Sequence, residues 1–282
     1  MPPDAPPALR AVAVSVAPLA ILAVLAPVGP RPASLDPALD AIRFPLNGEG
    51  LYAFVAFVCA ALTVTLASAL APRALLSKPR NAVISAALGV ALSLLSFAIL
   101  RVAPGASGVL GAVGIALAAC AIGTQVGARV ESPGHILPVA LLSAAVDLWS
   151  VTAAAGPTHM IVQTPALLRL LTITATVPME RLPEPQIGFG DVVFAALYHA
   201  IGARFGLPIR RTAAAIFVGV LLAGIASAAL AAPVPALPAL GLAMLVAHRD
   251  ARRVPKADQR TAIFTGALLL ASIARVAVVF AR

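Results

Sequence analysis

Residues 135–155 read HILPVALLSAAVDLWSVTAAA, an apolar run with one charged side chain, Asp147. A run of about 20 apolar residues is long enough for a helix that crosses the roughly 30 Å hydrocarbon core of a bilayer. A carboxylate within such a run costs about 2.5–3.5 kcal/mol on insertion scales, so it usually faces a bundle interior or a water-filled cavity and serves a function. This stretch therefore predicts a membrane protein with a polar site inside it.

Similar apolar runs recur along the whole chain. Its 282 residues are 61% hydrophobic and 11% charged, against roughly 45–50% apolar residues in soluble domains. Apolar windows predict nine transmembrane helices, near residues 11–29, 51–71, 82–103, 107–128, 135–155, 186–205, 212–231, 233–248 and 261–281. The first run is long for the apolar core of a signal peptide, which favours a retained helix. We therefore expect an all-α polytopic protein with a single membrane domain over residues 1–282.

Most basic residues lie in the connectors between the apolar runs. The net charge of +9 comes mainly from Lys and Arg beside apolar runs, where cations anchor to anionic headgroups, so we expect a lipid bilayer and no nucleic acid as partner. If nine spans alternate, thirteen cations collect on one side, and the positive-inside rule then puts the amino terminus in the cytoplasm. The excess of Arg over Lys in an alanine-rich chain is typical of a GC-rich prokaryotic genome, so we expect the membrane to be a prokaryotic cytoplasmic (inner) membrane.

A second carboxylate stands out near the start of the sixth span. Of eleven acidic residues, only Asp147 and Asp191 lie well within the predicted spans. Asp191 closes the motif Gly188-Phe189-Gly190-Asp191, in which two glycines allow a backbone to approach a ligand closely. Two carboxylates that share a site do not ionise together, so one can activate water while the other protonates a carbonyl. The structural alternatives are an aspartate that caps a broken helix or pairs with Arg, and a close-packed helix start.

Residues 160–178 are apolar enough to suggest a tenth span, although Gln163, Pro165 and Arg169 interrupt them. At 1.5 Å per residue, Asp147 lies roughly 12 Å below the outer face and Asp191 about 8 Å below it. The two carboxylates reach similar depth only if residues 156–185 form a connector. We therefore predict a hairpin-like connector, with a strand or a simple loop segment at residues 172–177, where polar and apolar side chains alternate.

A third motif, Pro235-Ala236-Leu237-Pro238, opens the eighth span. Its two prolines remove backbone donors and keep this segment from being ordinary helix. The alternative is a helix start that is merely marked by proline.

An aspartate helix, a GxGD helix and a later PAL motif, in this order, resemble the presenilin and signal-peptide-peptidase family. Asp147-Leu148 is followed by Val151, Gly156-Pro157, Met160, Val162 and Thr164, which resembles the presenilin pattern. The resemblance covers roughly residues 135–245, departs from the family at Val146, and leaves 261–281 as an extra helix. It implies a presenilin-like bundle with N-terminal helices over 11–128 and a catalytic core over 135–248.

The resemblance further implies an intramembrane aspartyl protease of transmembrane proteins or peptides, with Asp147 and Asp191 as catalytic dyad. The two motifs, residues 188–190 and 235–238, would position the substrate. We expect neither cofactor nor metal, since His159 and His199 are isolated, and no obligatory partner subunit. Two alternatives stay open: a prepilin-peptidase-like enzyme, whose GxGD motif usually continues with a lysine where this chain has Val193, and a transporter that uses the aspartates for proton coupling.

Overall fold

The computed structural model describes residues 15–21, 48–76, 79–175, 183–230 and 232–280. Residues 15–21 are helical. Ten further α-helices follow: α1 Gly48–Leu75, α2 Pro79–Ile99, α3 Pro104–Gly127, α4 Ile136–Thr152, α5 Pro157–Val162, α6 Pro165–Leu170, α7 Phe189–Arg204, α8 Ile209–Leu230, α9 Leu237–Ala247 and α10 Gln259–Phe280. Two strands, β1 Thr172–Ala175 and β2 Glu184–Gly188, lie between α6 and α7.

Proline marks many of the helix starts. Helices α2, α3, α5 and α6 each begin at a proline, the residue whose fixed φ suits the first helical position and whose missing N–H would have no partner there anyway. Helix α7, in contrast, ends just before a glycine with a positive φ. Gly206 has a φ of +67°, and the N–H of Leu207 donates to the carbonyl of Gly202 at 2.8 Å. This Schellman-type end turns the chain sharply into α8.

Six apolar helical segments among the described residues are long enough to cross a membrane. They cover Ala53–Leu75, Arg80–Ile99, Pro104–Gly127, Pro133–Thr152, Ile209–Leu230 and Lys256–Val278, each within a few residues of a predicted span. The prediction of a helical integral membrane protein is therefore confirmed. The first predicted span, 11–29, lies mostly outside the described residues.

Two predicted spans are shorter in the structure than in the sequence analysis. The span at 186–205 is the 16-residue helix α7, because residues up to Gly188 belong to β2. The span at 233–248 is the 11-residue helix α9, which begins only at Leu237, two residues after Pro235. The count of nine and the presenilin-like bundle stay predictions.

The connector before the GxGD motif is not a tenth span. Its first part forms α5 and α6, two helices of six residues each. The predicted strand is confirmed over Thr172–Ala175, while residues 176 and 177 lie outside the described part of the chain. Strand β1 pairs antiparallel with β2, with Ile173 opposite Ile187 and an irregularity between Ile173 and Thr174. The hairpin leads directly into α7.

The chain groups into two compact units, residues 1–125 with 168–196 and residues 126–167 with 197–282. In the first unit, α1 contacts α2 and both strands. Helices α2 and α3 pack closely through small residues, since a Cβ on Gly89 would lie 2.5 Å from the carbonyl oxygen of Gly114. Close contact through glycine is a common way for helices to associate where apolar burial gives no preference for protein over lipid.

In the second unit, helix α4 contacts α9 and α10, and α9 also contacts α8. Loops at one end of this unit carry a buried histidine, His248, whose Nε2 lies 3.0 Å from the hydroxyl of Thr212. Burial is the main reason that the pKa of His248 is lowered; the Arg211 guanidinium lowers this pKa further and Asp250 opposes the shift. Together these effects favour the neutral form of His248.

Candidate functional site

Asp147 lies in α4, and its half-buried carboxylate reaches the beginning of α9. Its Oδ2 accepts a hydrogen bond of 3.0 Å from the backbone N–H of Leu237, and the N–H of Ala236 also interacts with the carboxylate. These amides belong to the first turn of a helix, where N–H groups lack intrahelical partners and the helix dipole favours negative charge. Asp147 therefore meets the Pro235–Pro238 motif directly.

Helix α9 is held tightly on two sides. On one side, a Cβ on Gly219 of α8 would lie 2.8 Å from the Cα of Leu240. On the other, a Cβ on Gly241 would lie 2.8 Å from the Cβ of Ala140, two turns before Asp147 in α4. Leu237 itself is buried. The amide that binds Asp147 thus stands on a helix with little room to shift relative to α4.

The far end of α9 is closed by Arg252. Its guanidinium donates from Nε to the carbonyl of Leu245 at 2.7 Å and from Nη2 to the carbonyl of Val246 at 3.2 Å. These carbonyls lie in the last turn, where cations and donors stabilise the negative end of the helix. A short helix that starts at a carboxylate and ends at a guanidinium keeps both ends satisfied.

Asp191 is the third residue of α7 and is half-buried. Its Oδ2 accepts a hydrogen bond of 3.2 Å from the N–H of Gly188, the residue just before the helix. An acidic side chain at the third helical position that reaches back to the capping residue is one half of a capping box. Asp191 therefore caps the start of its own helix, as one of the structural alternatives expected. Asp147 makes a comparable bond, to the N–H of Leu237 at the start of α9.

The glycines of the GxGD motif have different surroundings. A Cβ on Gly188 would lie 3.3 Å from Oδ2 of Asp191, whereas a Cβ on Gly190 would meet no atom within 4 Å. Gly190 is exposed and Phe189 is half-buried. The position of the Gly190 Cβ is therefore open space among the described residues.

A buried polar side chain that the sequence analysis did not single out lies in α4 near Asp147. Ser143 is buried, and its hydroxyl donates to the carbonyl of Ala140 at 3.1 Å. In the second half of α7, the side chain of Tyr198 is fully buried. The sequence feature that could have identified Ser143 is its spacing: it lies four residues before Asp147 and therefore on the same face of the helix.

The structure brings Asp147 together with Ala236 and Leu237, and Asp191 together with Gly188. Pro235 precedes α9 and Pro238 is its second residue. The two aspartates belong to different compact units, so their pairing stays a prediction. Among the described residues, no group of three or more His, Cys, Asp or Glu side chains is arranged to hold a metal ion.

Comparisons with protein-family models, with curated proteins and with solved structures found no match to this chain.

Proposed function

We propose that this chain is an intramembrane aspartyl protease, similar to the presenilin and signal-peptide-peptidase family, that cuts transmembrane peptides with Asp147 and Asp191. The observation that carries the proposal is the bond between Asp147 and the N–H of Leu237, which joins two motifs 90 residues apart in the chain. Sequence order alone suggested that these motifs belong to one site. Their contact supports that suggestion from an independent direction.

The spacing of residues along α4 and α7 also supports the proposal. Residues four or seven apart share one face of a helix. Asp147 therefore shares a face with Ser143, and Asp191 shares one with Tyr198. Ser143 and Tyr198 are both buried, so each aspartate shares a helix face with a buried side chain that carries a hydroxyl group.

The reaction needs one ionised and one protonated carboxyl group. The carboxylate takes a proton from a water molecule, whose oxygen attacks the scissile carbonyl carbon while the protonated group gives its proton to the carbonyl oxygen. The tetrahedral intermediate then collapses: the nitrogen takes the proton from the group that deprotonated the water, the C–N bond breaks, and a hydroxyl of the intermediate returns its proton to the other group. The single proton that the resting pair holds belongs to the coupled pair rather than to either aspartate.

Substrate access requires an unwound chain, because a transmembrane helix keeps its carbonyls in internal hydrogen bonds. Gly190 leaves space beside Asp191 for a backbone. The β1–β2 hairpin precedes Gly190 and is two-stranded among the described residues, so an extended substrate has a strand edge with which to pair. Together these features favour a peptide in extended form as ligand.

The decisive experiment uses the purified chain alone in detergent or proteoliposomes with a generic single-span peptide that carries a fluorophore and a quencher. We expect cleavage without partner subunits, and its loss in Asp147→Asn and in Asp191→Asn. Asp250→Asn is the matched control, since Asp250 is exposed and only pairs with Arg253 at 3.5 Å. If both Asn variants cleave as fast as this control, the proposal fails.

If the chain does not cleave the peptide but does move protons across a membrane, the result would support the alternative of a proton-coupled transporter. Proteoliposomes of the same preparation with an internal pH-sensitive dye test it: a transporter acidifies or alkalinises the lumen, whereas a protease leaves the pH unchanged. For orientation we propose a cytoplasmic amino terminus in a prokaryotic inner membrane, which protease protection of terminal tags in right-side-out vesicles would check.

A further inference from the structure

One end of the second unit carries a surface that the proposed protease chemistry does not use. We call it the cationic surface; it comprises Arg129, Arg204, Arg210, Arg211, Arg249, Arg252, Arg253, Lys256 and Arg260, all exposed. Three carboxylates share this end of the unit: Glu131, Asp250 and Asp258. Nine cations against three anions leave a strong positive excess.

Three loops build this surface, at residues 128–135, 204–211 and 248–260. The guanidinium of Arg204 in the second loop donates to the carbonyl of Ala128 in the first. The first and third loops meet twice: Nε2 of His135 lies 2.8 Å from Oδ2 of Asp258, and Gly134 packs against the backbone of Arg253. The bond between Thr212 and His248 ties the start of α8 to the third loop. The cations therefore lie on one connected surface rather than on independent loops.

Only a part of this charge is used inside the protein. Arg204 and Arg252 donate to backbone carbonyls, and Arg253 pairs with Asp250. The side chains of the other six form no hydrogen bond or ion pair with the residues that the structure describes: Arg129, Arg210, Arg211, Arg249, Lys256 and Arg260. Their charges therefore have no ion-pair partner in the described part of the chain.

Several of these cations occupy positions that a helix disfavours. Arg210 and Arg211 are in the first turn of α8, and Arg260 is in the first turn of α10, and neither turn contains an acidic residue. The positive end of the helix dipole lies there, so cations are unfavourable and anions are favourable. A bound anion would interact with the guanidinium groups and with the helix ends at once.

The position of the surface selects the kind of anion. It lies where the membrane-spanning segments that contain α4, α8 and α10 begin, which is the level of the lipid headgroups. Phosphate diesters match the planar donor fork of arginine, and a cluster of several Lys and Arg at this level attracts anionic lipids.

We infer that the cationic surface binds the phosphate groups of anionic phospholipids in the leaflet that it borders. The inference does not depend on the proposed protease activity. The inference is more specific than the excess of cations on one side of the membrane, because it assigns lipid binding to one connected surface. Arg210 and Arg211 are the principal contacts in this surface.

The test counts bound lipids by native mass spectrometry of the full chain in nonionic detergent, with phosphatidylglycerol or phosphatidylcholine added at equal concentration. We expect retention of phosphatidylglycerol over phosphatidylcholine, and affinity roughly tenfold lower in Arg210→Gln/Arg211→Gln. The matched control is Arg101→Gln/Arg275→Gln, which removes two exposed cations outside this surface and should leave retention unchanged. Lys256→Gln/Arg260→Gln serves as a second pair if the first does not fold.

Three results would overturn the inference. The first is equal retention of both lipids. The second is an equal loss of phosphatidylglycerol in the control pair and in the Arg210 and Arg211 pair, which would indicate unspecific charge attraction. The third is displacement of phosphatidylglycerol by glycerol phosphate or by a single-stranded oligonucleotide at the lipid's own concentration, which would indicate a soluble phosphate compound or nucleic acid as the ligand.

Discussion

Replacing Asp147 separates its two roles, because one replacement keeps the contact with α9 and another removes it. In Asp147→Asn the side-chain amide retains an oxygen that can accept from the N–H of Leu237, but the charge and the exchangeable carboxyl proton are lost. In Asp147→Ala the acceptor is also lost. We expect both variants to lose cleavage and only Ala to lose substantial stability.

The magnitudes follow from the observed bond. Removal of a side-chain acceptor at a helix start costs about 0.5–2 kcal/mol, and hydrogen bonds to charged groups contribute about 1.5–3 kcal/mol. For a half-buried carboxylate with a 3.0 Å bond, we expect Asp147→Ala to lower the free energy of unfolding by about 1–2 kcal/mol. Asp147→Asn loses mainly the favourable interaction of charge with the helix dipole, about 0.3–1 kcal/mol. Positioned acid or base groups contribute about 10²–10⁴-fold to rate, so both variants should cleave at least about 100-fold more slowly.

The assay measures reversible unfolding in mixed detergent and cleavage of one peptide under single-turnover conditions on the same preparations. Thr152→Ala is the control within α4, since it removes a hydrogen bond to the carbonyl of Leu148 but no carboxylate, and should cost stability without a loss of rate. If Asp147→Asn cleaves at a rate close to that of this control, Asp147 only caps α9 and the catalytic assignment is wrong.

Four further outcomes are expected. With native cysteines removed, Asp147→Cys and Asp191→Cys should be joined by a short bis-methanethiosulfonate, which forms a disulfide with each thiol and releases methanesulfinate, because paired carboxylates in other hydrolases act at roughly 5–9.5 Å; absence of this product refutes the dyad. Gly190→Ala should keep its stability, since the added methyl group meets no atom within 4 Å, but should cleave more slowly, and an unchanged rate would show that no substrate passes there. Leu237→Ala should reduce cleavage while a transition-state-mimicking inhibitor still binds, though less tightly, which a parent-like rate would contradict. His248 has a lowered pKa in the folded state, so its contribution to stability is complete above about pH 6.5 and is lost as pH falls through the folded pKa; the unfolding midpoint of His248→Gln should depend less on pH over this range, and an identical pH dependence would refute the assignment.

Local composition determined the membrane helices and the positions of the unusual charges. Whether a segment spans a bilayer depends on about 20 consecutive residues, so the six long segments were predicted within a few residues of their observed limits. The isolation of Asp147 and Asp191 in apolar runs is likewise a property of the sequence. Strand β1 could be predicted because Thr172–Ala175 alternates polar and apolar residues with β-branched side chains.

Tertiary structure alone decided what these groups contact. The bond from Leu237 to Asp147 joins residues 90 positions apart, and no periodicity within either helix contains that information. Strand pairing up to Gly188 and the prolines before α9 shortened two predicted spans, because backbone hydrogen bonding and missing donors set helix ends where hydropathy is continuous. The sequence therefore determined which residues are costly to bury, and the fold determined that backbone amides at two helix starts offset that cost.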